Sequence, residues 1–110
     1  MSRVLAQLGG HQAEGRLLLL DEPVSHLDVR YQHALLAAAR GLCARGNTVI
    51  AVLHDPNLAL RYGDRLLFLK KGCVVADLAH PAEISADLIG SVFDVPARVL
   101  YDDGHPVIVF

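Results

Sequence analysis

Leu17-Leu18-Leu19-Leu20-Asp21-Glu22-Pro23 sets two adjacent carboxylates at the end of a short, unbroken apolar run. Such a run suits a strand buried on both faces, as in a parallel sheet. Leucine also favours helix, but Pro23 argues against a long one. The carboxyl ends of parallel strands are where open α/β sheets bind their ligands. Neighbouring carboxylates at such an end can divide labour. One holds a divalent cation through water, and the other orients or deprotonates an attacking water. Taken alone, Asp21-Glu22-Pro23 reads more simply as a solvated turn after a strand.

Downstream, Val29 to Ala44 has helical periodicity, with Tyr31, Leu35, Ala38, Ala39 and Leu42 expected on one face. Asp28 is its expected N-cap and Gly46 its stop. Thr48 to Leu53 is an apolar, β-branched run that reads as a second buried strand. Asp55-Pro56 then opens a short helix, the Asp capping it and the Pro filling the first helical position. Arg65 to Lys70 and Cys73 to Leu78 flank Lys71-Gly72, a hairpin pattern. Ile84 to Phe93 predicts a helix, with Ile84, Leu88, Ile89, Val92 and Phe93 as its apolar set. Ala97 to Tyr101 and Val107 to Phe110 flank Asp102-Asp103-Gly104, a second hairpin signal. Upstream, Val4, Leu5 and Leu8 stand at helical spacing, so Ser2 to Leu8 reads as the end of a helix. Gly9-Gly10-His11-Gln12 and Gly15 read as a polar loop. The alternation of strand and helix argues for an α/β sheet with right-handed crossovers. Only part of such an architecture fits in 110 residues, so one sheet face is expected to lack its cover.

Bulk properties exclude some functions. A net charge of −2 and an aromatic content of 5% offer neither the basic stripe nor the stacking platform of a nucleic-acid binder. No apolar stretch approaches the length of a membrane span, so no direct span is expected. Cys43 and Cys73 lack metal-site or redox-motif spacing and are expected as reduced thiols filling apolar space. Hydrophobic residues make up 53% of the chain. That is high for so small an interior, and some of this surface is expected to meet a partner or further sequence.

Asp21-Glu22 does not stand alone. Ser25-His26-Leu27-Asp28 follows at once, and Leu53-His54-Asp55 ends the next strand. In these three segments, in this order and on these elements, the chain resembles the ABC transporter ATPase family. The apolar run with Asp21-Glu22 resembles the Walker B motif, Ser25 to Asp28 the D-loop, and His54 the switch histidine. The resemblance implies that Asp21 holds Mg²⁺ through water and that Glu22 is the catalytic base or water-orienting residue. It implies that His54 contacts the γ-phosphate of ATP and holds the attacking water and Glu22 in place. Ser25 and Asp28 are implied at the nucleotide site, Asp28 at the dimer interface coupling two such sites. Plainer readings make Asp28 a helix cap, a role compatible with the first, and His54 an ordinary buried histidine. Val24, where the family most often has Thr, and His26, where it has a small residue, are departures that bear on packing. Residues 54–65 and the tail (Val92-Phe93-Asp94-Val95-Pro96, then Asp103-Gly104-His105-Pro106-Val107) resemble the branch serving iron-siderophore, heme and vitamin B12 importers, and heme importers in particular.

The resemblance covers nearly all of residues 1–110, but only the rear half of a family member. No GxxxxGK[ST] loop, which wraps nucleotide phosphates in backbone N–H groups, occurs in the chain. The family's glutamine-bearing loop, helical subdomain and LSGGQ-type signature are missing too. Residues 2–8 would fall in the helix after that signature. A truncated product or a fragmentary gene model is the expectation, with weak ATP binding and no meaningful hydrolysis by this chain alone. A whole family member is expected as a homodimer on membrane permease subunits, peripheral to the cytoplasmic face of the membrane. The permease handles the substrate. The alternative is a non-catalytic fragment that docks on a full-length relative as an interaction or regulatory module.

Overall fold

The computed structural model describes residues 2–8 and 16–110. The loop expected over Gly9-Gly10-His11-Gln12 and Gly15 lies outside the described residues. The elements are β1 (Ser2–Leu8), β2 (Leu17–Asp21), α1 (Val29–Cys43), β3 (Thr48–Leu53), α2 (Pro56–Tyr62), β4 (Arg65–Lys70) and β5 (Cys73–Leu78). A 3-10 turn (Pro81–Glu83), α3 (Ala86–Phe93), β6 (Arg98–Asp102) and β7 (His105–Val109) follow. A five-stranded sheet runs β2-β3-β1-β4-β5, and β6-β7 form a separate ribbon. The expected α/β class, with parallel core strands, helices and C-terminal hairpins, holds. β2 and β3 pair in parallel, Leu17 opposite Thr48 through Asp21 opposite Val52.

Ser2 to Leu8 is a strand, not the end of a helix. It lies antiparallel to both neighbours, with Val4 opposite Leu53 on one side and Phe68 on the other. Val4, Ala6 and Leu8 are fully buried. Their period-two spacing competes with the helical spacing of Val4, Leu5 and Leu8. Pairing on both edges outweighs a helix propensity worth only tenths of a kcal/mol per residue.

The same alternation runs across the sheet. Val49, Ala51 and Leu53 of β3 and Leu66 and Phe68 of β4 join β1 in one core beneath α1, α2 and α3. β2 is not buried on both faces as expected. It is an edge strand, and Leu17 and Leu19 are 67% and 63% exposed. Helix α1 buries Leu36 and Ala39 and leaves Tyr31, Ala38 and Leu42 exposed, so its inner face is turned about one residue from the expected one. Asp28 caps it as expected, accepting from the Tyr31 N–H at 3.1 Å. Asp55 caps α2 through the Asn57 N–H at 2.8 Å, with Pro56 at the first position. Helix α3 starts at Ala86, two residues later than expected, because the Ser85 side chain caps it through the Leu88 N–H at 3.2 Å.

Both hairpins form where expected. Lys71 and Gly72 have φ of 53° and 79°, and Asp103 and Gly104 have 52° and 80°. Two successive positive φ values are what a two-residue turn matched to the strand twist requires, and glycine adopts the second freely. Asn57 ties β7 to α2. Its Oδ1 accepts from the Ile108 N–H at 2.7 Å, and its Nδ2 donates to the Ile108 carbonyl at 3.1 Å. Cys43 is half-buried beneath the sheet and donates to the Leu8 carbonyl. Cys73 is exposed rather than filling apolar space, and both are free thiols.

Two surface ion pairs lower the pKa of their carboxylates. Bidentate hydrogen bonds from Arg65, at 2.7 and 3.1 Å, hold the Asp77 carboxyl below the usual carboxylate range. The Lys70 hydrogen bond at 2.9 Å, then its charge, does the same for Asp94. A lowered folded-state pKa adds stability that is full above the unfolded value of about 3.9 and lost as pH falls through the folded one. The Asp77→Asn/Asp94→Asn chain is therefore expected to lose less stability than the parent between pH 4 and pH 2, roughly the carboxylate window. Urea titrations at a series of pH values check this. Parallel losses in the two chains would show that neither pair contributes.

Candidate functional site

The site lies at the shared carboxyl end of β2 and β3. Parallel pairing puts Asp21 opposite Val52, and the Glu22 N–H continues the ladder by donating to the Val52 carbonyl at 2.9 Å. Asp21 is exposed at the strand end. The chain then turns sharply: Glu22 has φ of 52° and His26 of 70°. Left-handed backbone at a non-glycine residue costs on the order of 1–3 kcal/mol and concentrates at functional sites. Hydrogen bonds from the Ser25 N–H to the Glu22 carbonyl and from the Leu27 N–H to the Val24 carbonyl, both 3.2 Å, close the turn.

This turn brings Glu22 against the first residue after β3. His54 Nε2 lies 2.7 Å from Glu22 Oε1, with the carboxylate side chain 27% exposed and the imidazole 42%. His54 is thus not an ordinary buried histidine. It lines a cleft of about 150 Å³ together with Glu22, Val24, Ser25, Gln32 and Leu58, among others. Glu22, Ser25 and His54 therefore share one site. Asp21 stands beside it at the strand end, and Asp28 is occupied as the cap of α1. Val24, the departure noted in the sequence, is 8% exposed and belongs to the core under the turn.

Arg3 was not foreseen. Its Nη2 lies 3.5 Å from Glu22 Oε1, because β1 runs beside β3 and delivers its first residues to this end of the sheet. Reading residues 2–8 as a helix concealed that neighbour, and only the alternation of Val4, Ala6 and Leu8 carried a hint of it.

The arrangement can hold a water against a carboxylate that touches an imidazole and lies near the Arg3 guanidinium, the geometry of a base with orienting partners. It cannot enclose a nucleotide. Small-molecule pockets measure about 300–1,000 Å³, and this cleft falls below that range. No group of three or more metal-ligating side chains occurs among the described residues. One exposed carboxylate, Asp21, suits Mg²⁺, which keeps most of its waters and takes its other ligands from phosphate.

No protein-family model matches the chain. Curated relatives do. It is 56% identical over 108 residues to the hemin import ATP-binding protein of Deinococcus radiodurans, covering 98% of this chain and 37% of that protein. The protein of the same description from Rhodopseudomonas palustris strain BisA53 is 47% identical over 111 residues, 98% of this chain and 41% of the relative. That of Myxococcus xanthus is 46% identical over 108 residues, 96% of this chain and 40% of the relative. The chain thus spans about two fifths of the length of these relatives, in their C-terminal part. Walker B-like strand, D-loop-like turn and switch-like histidine meet at one sheet end, and the similarity runs nearly end to end: the chain belongs to the ABC transporter ATP-binding subunit family and corresponds to the C-terminal part of its members.

Proposed function

We propose that this chain carries the water-activating half of the nucleotide site of an ATP-driven importer, with heme or an iron chelate as the cargo of the whole assembly. The observation that supports this best is the 2.7 Å contact between Glu22 and His54 at the ends of adjacent parallel strands. Glu22 accepts a proton from a water in line with the γ-phosphate of ATP. That water's oxygen bonds to the γ-phosphorus as the bond to the β–γ bridging oxygen breaks, releasing ADP and phosphate. His54 keeps the Glu22 carboxylate in one orientation and reaches toward the transferring phosphoryl group. Asp21 would hold Mg²⁺ through water, and the ion would neutralise phosphate charge when bound. Ser25 lines the cleft, while Asp28 fixes the D-loop-like turn to α1 and faces a second copy in a homodimer. The names of the relatives support ATP as the nucleotide and hemin as the cargo. Permease subunits at the cytoplasmic face of the membrane would carry that cargo.

The small cleft and the lack of a phosphate-wrapping loop mean that this chain alone should show no ATP turnover above background. Joined to the amino-terminal portion of the Deinococcus radiodurans relative, it should release phosphate from ATP at about 1 s⁻¹ or faster, an ordinary enzymatic rate. A colorimetric phosphate assay on both proteins makes the test. A joined protein that folds and binds ATP yet releases no phosphate would sink the reading.

A further inference from the structure

A second cleft shares no lining residue with the one at Glu22 and His54. It measures about 370 Å³, against about 150 Å³ at the candidate site, and falls within the usual range of small-molecule pockets, about 300–1,000 Å³. The end of α2, the 3-10 turn after β5 and the β6–β7 turn form its walls. Arg61 lies in the last turn of α2, roughly 10 Å of helix from the end next to His54. Buried Leu60 and Pro106 supply apolar wall. The polar lining is cationic. Arg40, Arg61, His80 and His105 stand against a single carboxylate among the described lining residues, Asp64, and Arg40 Nη1 engages that carboxylate at 3.3 Å. Glu83, Asp102 and Asp103 are close in sequence but do not line the cleft. Arg61 and His105 are exposed, and neither side chain has a polar partner among the described residues. His80 is set as a donor. Its Nδ1 accepts from the Ala82 N–H at 3.1 Å, so the neutral ring carries its proton on Nε2.

We propose that this cleft binds a small phosphate monoester, its phosphate held by Arg61, His80 and His105 and its organic part set against Leu60 and Pro106. The three nitrogen donors come from three separate elements, α2, the cap of the 3-10 turn and β7. A guanidinium fork takes two phosphate oxygens, and a tetrahedral phosphate offers a third oxygen to donors from another direction. A planar carboxylate offers only two. Asp64 stays with Arg40 and limits the negative charge the cleft accepts, which favours a single phosphate over a di- or triphosphate. The site does not depend on the catalytic roles of Glu22 and His54.

Amide NMR spectra of this chain, titrated near neutral pH with phenyl phosphate, test it. Saturable shifts are expected at Arg61, His80, Gly104 and His105, with a dissociation constant of about 1 mM or tighter. Arg61→Gln should weaken binding at least ~10-fold, the scale of a lost hydrogen bond between charged groups. His105→Gln should weaken it as well. Both residues are exposed, so the variants' spectra should otherwise match the parent's. Arg98→Gln, exposed at the far end of the β6–β7 ribbon, should bind as the parent does. Shifts that rise without saturating, or that persist undiminished in Arg61→Gln, overturn the proposal. So do shifts centred on Glu22 and His54. Benzoate bound as tightly as phenyl phosphate overturns the assignment to phosphate.

Discussion

Glu22→Gln, placed in the protein joined to a relative's amino-terminal portion, is expected to lower ATP turnover by roughly 10²–10⁴-fold, the usual worth of a positioned general base. The substitution keeps the shape of the side chain and its reach to His54, 2.7 Å away. It removes the basicity that takes the proton from water. KM for ATP should stay within about threefold, because the lost interaction belongs to the transition state and not to ground-state binding. The effect should not come from unfolding, since Glu22 is a partly exposed turn residue outside the core cluster. If Glu22 and His54 act as a unit, adding His54→Ala to Glu22→Gln should lower the rate little further. Initial rates of phosphate release over a range of ATP concentrations separate these outcomes. Full activity in Glu22→Gln would leave the 2.7 Å pair as a surface contact without a catalytic role.

Phe68→Ala should have the largest effect on stability. Phe68 is wholly buried at the centre of β4, opposite Val4 of β1 and Ala76 of β5. Its ring meets the edge of Phe93 at 6.4 Å between centroids, and Phe93 meets Phe110 at 5.7 Å, so the chain of rings links the sheet to α3 and the C-terminus. Truncating a buried phenylalanine to alanine costs about 3–5 kcal/mol, from lost transfer energy and from the cavity left behind. A small domain has about 5–15 kcal/mol in all, and one with an uncovered sheet face sits low in that range. Urea unfolding followed by far-ultraviolet circular dichroism should find the variant largely unfolded, or its midpoint far below the parent's. A loss under about 1 kcal/mol, the scale of a surface substitution, would mean that the sheet and α3 do not share one core.

Features that depend on a few neighbouring residues were legible in the sequence. Asp28 and Asp55 cap helices because a side-chain oxygen reaches an N–H two or three residues on, whatever the rest of the chain does. The Lys71-Gly72 and Asp103-Gly104 turns form because two consecutive positive φ values select such residues locally. Glu22 and His54 were expected together through the family resemblance, and the parallel strand ends set them 2.7 Å apart. The cleft they line was not legible, because it is shaped by Leu58 and Gln32 from two helices as well as by the strand ends.

Long-range choices were decided by tertiary structure alone. Val4, Leu5, Ala6 and Leu8 satisfy both helical and strand periodicity. Only pairing with β3 and β4 on either side makes Ser2–Leu8 a strand and carries Arg3 to Glu22. The four leucines of β2 promised burial on both faces, yet burial depends on what lies next to a strand, and among the described residues β2 has a neighbouring strand on one side only. The inner face of α1 is set by how the helix lands on the sheet, which rotates it by one residue from its apolar stripe. Thus the sequence by itself determined the Asp28 and Asp55 caps and the two hairpin turns, because their physics is local. The tertiary structure decided which strand lies beside which and which face stays open, because those outcomes depend on contacts far apart in the chain.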